Sequence, residues 1–595
     1  MINRTTKLRW RRRFKRSRQQ VGDISQQTEE QLDKHFFKRM NRLTNVRRFI
    51  GAWMTLCIAL IAITIYQTYS LSTYYQKLEP VPGGDYSEGV VGNFTNANPL
   101  FATSNVDSTV SRLIFPGLLK YNQQDQLVGD LAENWNSDTS GKVWTVTLKD
   151  NLKWQDNVPL TSGDVVFTYK TIQNPDALSP LFGSWKGVSV QELNSRTVQF
   201  TLPDALSSFP TSLTNGIIPK HILSSVPVSE LRSIDFDTAN PIGAGPFKWT
   251  TVEVKNITST SREIEIGLSA NPLYYAGRPK LDFYTVNAFT NRNDMLTSFN
   301  NRDLNGMSGL ESVPRNFKND SSVNSYNIPL TSEVMVFFNN SQAILSDSQV
   351  RQALVESINE SKIINGLGYP VLPAKSPLLS FQPGYDSKIL QLSTNLKSAN
   401  QLLTSDGWVK GKDGIRYKNG QPLEFTLVTQ NDPQFNYVSQ SLAQQWASVG
   451  VRVNLINEQS TDIQTTITDK SYDAILYGIS IGIDPDVFIY WDSTQAQPNA
   501  IPGLNLSLYK SKNTDLSLEA GRTVTNPAER AIKYKGFLQN WQSDAPALAL
   551  YQPRFLYITR GKLFGFNPSM VNTDTDRLAN VANWEIQEVR VTNPI

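Results

Sequence analysis

Phe49 to Tyr66 reads FIGAWMTLCIALIAITIY, and no charged residue stands between Arg48 and Lys77. About 20 helical residues at 1.5 Å each cross a hydrocarbon core of roughly 30 Å. The run therefore predicts a transmembrane helix over 49–68, with Trp53 and Tyr66 toward its two ends. Residues 1–48 hold fifteen Lys/Arg against four Asp/Glu, while the rest of the 595 residues hold 42 against 49. A net charge of +4 thus conceals a basic head on a mildly acidic body. Basic flanks stay on the cytoplasmic side. This predicts a single pass, with residues 1–48 cytoplasmic and everything from about 69 onward extracellular or periplasmic. A cleaved signal peptide fits less well, because the run is long, the basic region is extended and no A-x-A site follows. A lipid-modified cysteine fits less well still, since Cys57, the only cysteine, lies inside the apolar run after Leu56. The body then has no disulfide and relies on packing. Trp10 to Arg18 (WRRRFKRSR) reads as a tail enforcing topology, with contact to anionic lipid or RNA as the alternative. Residues 25–48 suggest a short amphipathic surface helix carrying Leu32, Phe36, Phe37 and Met40 on its apolar side.

LEPVPGGDYSE (Leu78–Glu88) is rich in Pro and Gly and places a linker at 69–85. Beyond it, strand-like and helix-like segments alternate, which is a mixed α/β class. WTVTLK (Trp144–Lys149) alternates with period two and predicts a half-buried strand; Thr197–Leu202 and Val334–Phe338 are further strands. Asp347–Gly366 predicts a helix capped by Asp347, with Val350, Leu354 and Ile358 at spacing four. A second helix starts at Asn526-Pro527, with Glu529 where a capping-box acid belongs and Tyr534, Phe537, Leu538 and Trp541 as a core stripe.

Several chemistries are excluded. The body has one histidine, His221, so a zinc site there would rest almost wholly on carboxylates. Cys-His catalysis is ruled out, and His221 lies in no nucleophile motif. No G-x-x-x-x-G-K-[ST] loop occurs, and Gly243-Ala244-Gly245-Pro246-Phe247 is too short to cradle a dinucleotide. No cofactor, metal or nucleic acid is called for. The one paired-acid motif, Asp484-Pro485-Asp486, ends an apolar, Gly-punctuated run. It reads first as a turn, then as a ligand contact, and last as a hydrolytic pair.

The motifs GDLAENW (Gly129–Trp135), GAGPFKW (Gly243–Trp249), NPLYYAGRPKLDFY (Asn271–Tyr284), VRQALVESINESKII (Val350–Ile364), DGWVKGKDGIRYKNGQPLEFTLVT (Asp406–Thr429), GLNLSLY (Gly503–Tyr509) and DAPALALYQP (Asp544–Pro553) follow one another in order. From about residue 86 to the C-terminus the chain resembles the family-5 extracellular solute-binding proteins, the oligopeptide- and dipeptide-binding receptors of ABC importers. The resemblance implies a clam-shell like that of periplasmic binding proteins, with lobe I at 86–125, 240–330 and 546–595. It puts an inserted domain at 126–239 and lobe II at 331–545, with crossings near 330 and 545. It implies no enzyme: a membrane-anchored receptor closes on a peptide or similar solute and delivers it to an ABC permease and ATPase on separate chains. A sensor or adhesion receptor of the same fold, and an anchored hydrolase using Asp484 and Asp486, are the alternatives.

Cleft residues implied by motif position are Gly478, Ile479, Ser480, Ile481, Gly482, Ile483 and Asp484 from lobe II. From lobe I come Asn98, Pro99 and Leu100, together with Met307, Ser308, Gly309 and Leu310. Trp491 is balanced between stacking on ligand and core, and Trp408 reads as core. In peptide-binding relatives an acid just before Asp-Pro-Asp pairs with the peptide's free amine. Here Ile481 stands there, so either Asp484 takes that part or the ligand is not anchored by an amine.

Overall fold

The computed structural model describes residues 47–256, 262–497 and 503–592. The basic segment, and nearly all of the surface helix expected over 25–48, lie outside the described residues. The described chain divides into two compact units, one carrying the helix Arg47–Tyr75 and the other being the body, Pro80–Gln587. In the first, Phe49–Ser70 forms 22 uncharged residues long and apolar enough to cross a membrane. The helix runs past 68 to Tyr75, and the strand Gln76–Val81 follows, so much of the span expected as linker is regular structure. After Gly51 no proline or glycine stands in the chain until Pro80, so nothing breaks the helix at 68.

The body is built on two mixed sheets. The seven-stranded sheet runs in the order Val323–Pro329, Arg554–Arg560, Gly306–Leu310, Asp85–Val91, Phe283–Phe289, Arg262–Ala270 and Phe247–Asn256. The six-stranded sheet runs Leu372–Pro373, Ala547–Gln552, Ser332–Phe338, Ala474–Ser480, Glu424–Gln430 and Arg452–Glu458. Residues 546–552, expected in lobe I, belong to this second sheet, where Ala547 pairs with Phe337 and Tyr551 with Val334. Every residue from Ala547 to Gln552 is buried, as a strand with neighbours on both sides and covered faces must be. The chain changes sheets at Leu330–Thr331 and at Pro553, and these points touch: Leu330 N donates to Pro553 O at 3.0 Å, and Gln552 Nε2 donates to Leu330 O at 2.7 Å.

The insertion carries a four-stranded antiparallel sheet, Ala132–Ser137, Val143–Leu148, Thr197–Thr201 and Ser189–Asn194. It has no core of its own. Val146, Phe200 and Trp185 belong to the same buried cluster as Ile114, Phe247 and Trp584 of lobe I. Lobe II instead buries two clusters, one on each face of its sheet. Val334, Val336 and Phe338 point one way, and Met335 and Phe337 the other, as strand alternation requires.

The helix expected over 347–366 is two helices, Ser348–Glu356 and Glu360–Gly366. Asp347 caps the first, accepting from Gln349 N, and Asn359 caps the second, accepting from Lys362 N. The helix Pro527–Asp544 starts as expected, with Asn526 accepting from Ala528 N and Glu529 N, and its stripe of Tyr534, Phe537, Leu538 and Trp541 is buried.

Candidate functional site

The strand Ala474–Ser480 ends in a loop that is pinned by lobe II, by the crossing segment and by the insertion. Ile481 N and Gly482 N both donate to Thr331 O at 3.0 Å, in the segment where the chain changes sheets. Gly482 has φ +82°, the left-handed region that lets the chain turn here without strain. Gln382 Nε2 donates to Gly482 O at 2.8 Å and to Asp484 O at 3.3 Å. Thr331 Oγ1 reaches across to Asn572 Oδ1 at 2.6 Å. Within this element Gly478 and Ser480 are exposed and Gly482, Ile483 and Asp484 are half-buried, while Ile479 and Ile481 point into the core.

Both acids of the Asp-Pro-Asp turn are committed. Asp484 takes a two-pronged pair from Arg530, with Nη1 and Nη2 each at 2.7 Å from a carboxylate oxygen. Burial draws the Arg530 guanidinium down, and the Asp484 carboxylate more than reverses this, so its pKa is raised. Asp484 Oδ1 also accepts from Asp486 N at 3.0 Å, closing the turn around Pro485. Asp486 pairs with Arg522 Nη2 at 3.1 Å and accepts from Ser208 Oγ of the insertion at 3.0 Å. Ser207 adds two bonds to Arg522 O, from its N and its Oγ, each 2.8 Å. Asp484 in the role of amine partner was one of two alternatives, and its charge is already neutralised by a buried arginine.

Burial corrects other expectations. Trp491 has 0% exposure and packs against Phe337, Phe537 and Trp541, because the short helix Phe488–Trp491 turns it inward. It is core, as is Trp408. Met307 lies in a cluster with Met295 and Phe299, and Ser308 and Leu310 are buried on the same strand, which leaves half-buried Gly309 as its accessible point. Asn98 is sealed at 0% exposure, donating to Asp237 Oδ1 at 3.0 Å, while Asn96 Nδ2 donates to Asp237 Oδ2 at 2.8 Å. Burial pushes the Asp237 carboxyl up to about 6, against the pull of these two amides. Leu100 is core and Pro99 half-buried, so this stretch braces lobe I.

Thr331, Gln382, Arg522, Arg530, Ser208 and Asn572 went unnoticed in the sequence. One signal was present: Arg530 stands four residues before Tyr534, on the core stripe of its helix, and an arginine there needs a buried partner. The Tyr121 hydroxyl is pushed up by burial and then by the Asp576, Asp484 and Asp125 carboxylates. A hollow of about 550 Å³ lined by Arg112, Lys120, Asp130, Arg278 and Lys280 takes no residue from lobe II. Its cations are already paired, Lys120 with Asp130 at 3.1 Å and Lys280 with Glu585 at 2.9 Å, so the interlobe loop remains the better site. Among the described residues no cluster of three His, Cys, Asp or Glu suits a metal ion.

Two α/β lobes, each on its own sheet and joined by paired crossings, with a piece inserted in the first, define a bilobed binding protein. The chain belongs to the bacterial extracellular solute-binding proteins, family 5: the profile described as "Bacterial extracellular solute-binding proteins, family 5 Middle" matches residues 126–500. The "Oligopeptide-binding protein AppA" of Bacillus subtilis is 26% identical over 532 residues, covering 86% of this chain and 94% of that protein. Its solved structure in complex with a nonapeptide superposes with a TM-score of 0.66 at 24% identity, covering 86% of this chain and 100% of that one. NikZ from Campylobacter jejuni, in complex with Ni(L-His), superposes with a TM-score of 0.67 at 24% identity, covering 84% of this chain and 99% of that one. The chain is a binding protein, not an enzyme.

Proposed function

We propose that this chain is a membrane-tethered receptor that takes up peptides between its lobes and passes them to an ABC permease driven by an ATPase, both on separate chains. The observation that carries the reading is that Gly478 and Ser480 are exposed at the end of a strand otherwise largely buried, past Leu476 where its pairing with Glu424–Gln430 stops, beside the crossing between lobes. Open strand-end backbone is what an extended peptide pairs with, and wet surroundings tolerate varied side chains. The name of the Bacillus relative and the nonapeptide held by its structure support the same ligand class. Gly478, Ile479, Ser480, Ile481, Gly482 and Ile483 then form the lobe II wall, with Pro99 and Gly309 as the accessible points of lobe I.

The bonds from Ser207 and Ser208 to Arg522 and Asp486 join the insertion to lobe II, and they belong to a closed form. A ligand stabilises that form only by binding it better than the open one. The helix through Phe49–Ser70, at 1.5 Å per residue, is about 33 Å long. That matches a hydrocarbon core, and Arg47 and Arg48 at its start hold the N-terminus in the cytoplasm. The test is mass spectrometry of solutes released on denaturing the full chain purified in detergent. A mixture of short peptides is expected; a single non-peptide solute overturns the peptide assignment.

A further inference from the structure

Asp130, the acid of the GDLAENW motif, has more positive charge around it than it can balance. Its side chain is 4% exposed. Its Oδ1 accepts from Tyr275 Oη at 2.5 Å and pairs with Lys120 Nζ at 3.1 Å, while Oδ2 lies 3.9 Å from Arg112 Nη1. Lys149 Nζ donates to the backbone alongside, to Gly129 O at 3.0 Å and to Asp130 O. Three cations thus face one carboxylate. Like charges that are largely withdrawn from water repel strongly, because little solvent screens them.

Arg112 is the cation left over. It stands in the last turn of the helix Asn105–Ile114, with its side chain 16% exposed. Among the described residues nothing accepts a hydrogen bond from its guanidinium, since 3.9 Å to Asp130 is too long for one. Asp576, another acid that feels its charge, already accepts at Oδ2 from Asn572 N and Thr573 N, at 2.9 and 2.8 Å. A cation there suits the negative end of the helix, but that role needs no cavity. Arg112 lines the hollow of about 550 Å³ in lobe I, together with Lys120, Arg278 and Lys280, and Asp130 is the one acid among its lining residues. Arg278 is exposed, and its pair with Asp282 is of the screened surface kind. The volume suits a small organic molecule.

We propose that this hollow is a second binding site, separate from the cleft between the lobes, for a phosphorylated small solute whose phosphate sits on Arg112. The planar guanidinium presents two parallel donors to two phosphate oxygens, and Lys120, on the same carboxylate, adds a second cation. A phosphate monoester carries about −1.5 to −2 charges at pH 7, which offsets the surplus around Asp130 where a single carboxylate offsets only part of it. The remaining space, toward Arg278 and Lys280, takes the body of the solute. No residue of lobe II lines the hollow, so it fills whether the lobes are open or closed.

The test is equilibrium dialysis of the full chain in detergent against labelled glycerol 3-phosphate and, separately, labelled inorganic phosphate, at fixed ionic strength in chloride. Saturable uptake of the ester, one per chain, is expected at about 1 mM or below, with inorganic phosphate held more weakly. Arg112→Gln weakens ester uptake by about 30-fold, and Arg112→Lys by about tenfold, because lysine keeps the charge and loses the fork. Arg278→Gln changes an exposed side chain, so it carries the test where the Arg112 variants do not fold; it weakens uptake by about threefold without lowering the melting temperature. Excess short peptides leave uptake unchanged. Displacement by those peptides puts the phosphate in the cleft and overturns the second site. Uptake that never saturates, or that is equal in wild type and every folded variant, overturns it too. Inorganic phosphate bound as tightly as the ester overturns the solute and leaves a site for the free ion.

Discussion

Two arginine–carboxylate locks, Glu88–Arg577 in lobe I and Asp484–Arg530 in lobe II, differ in how far water reaches them. In lobe I, Glu88 and Arg577 both have fully buried side chains, with Arg577 Nε and Nη2 each 2.8 Å from Glu88 Oε1. Tyr284 donates to the other Glu88 oxygen, and the spare Arg577 protons go to Thr109 Oγ1 and Asp574 O. In lobe II, Asp484 and Arg530 keep 20% and 6% side-chain exposure at the edge of the cleft. The same pair of groups therefore does two jobs. The sealed one welds the first strand of lobe I to a segment nearly 500 residues later; the wetter one holds the turn that shapes the binding edge. Desolvation decides which job each can do, because losing one partner of a sealed pair strands an uncompensated charge.

Breaking the sealed lock has the largest expected effect. Glu88→Gln leaves Arg577 without its counter-charge and lowers stability by about 3–5 kcal/mol, read by urea denaturation. A loss near zero ends the contrast between the locks. Arg530→Met comes next, at about 2 kcal/mol, because Asp484 turns partly to water. Its sharper mark is weaker peptide retention by protein that is still folded; retention equal to wild type separates the turn from the ligand. Ser208→Ala is smallest. It removes one interlobe bond worth about 1 kcal/mol, so the ligand-free chain opens more often and its radius by small-angle scattering rises. An unchanged radius means the insertion does not hold the lobes together.

What the sequence made legible was local. Asn526-Pro527 announced a helix start, and the alternation of WTVTLK announced a strand, because caps and periods are short-range signals. The failures came from contacts between distant residues. Ala547–Tyr551 is apolar throughout, so its run carries no period to tell which sheet it joins; only its pairing with Ser332–Phe338 does. Spacing-four apolar residues continued through Ser357–Asn359 and hid the break there, where Asn359 caps a fresh helix. Asp484 looked available because Arg530 stands 46 residues away. Trp491 was ambiguous because a tryptophan beside a cleft motif has the same composition whether it stacks on ligand or core. The fold class was plain; motif position marked Gly478–Asp484 as a candidate edge, but could not tell that its acid was already paired.

The paired crossings at Leu330–Thr331 and Pro553 carry a mechanical consequence. One connecting thread would let the jaws swivel, slide and yaw. Two threads bonded side by side act as a torsion bar, stiff to shear and soft to twist. The aperture then swings about a single axis, and its widest gap is always on the far side from that ribbon. In the receptor proposed above, that far side is where cargo enters.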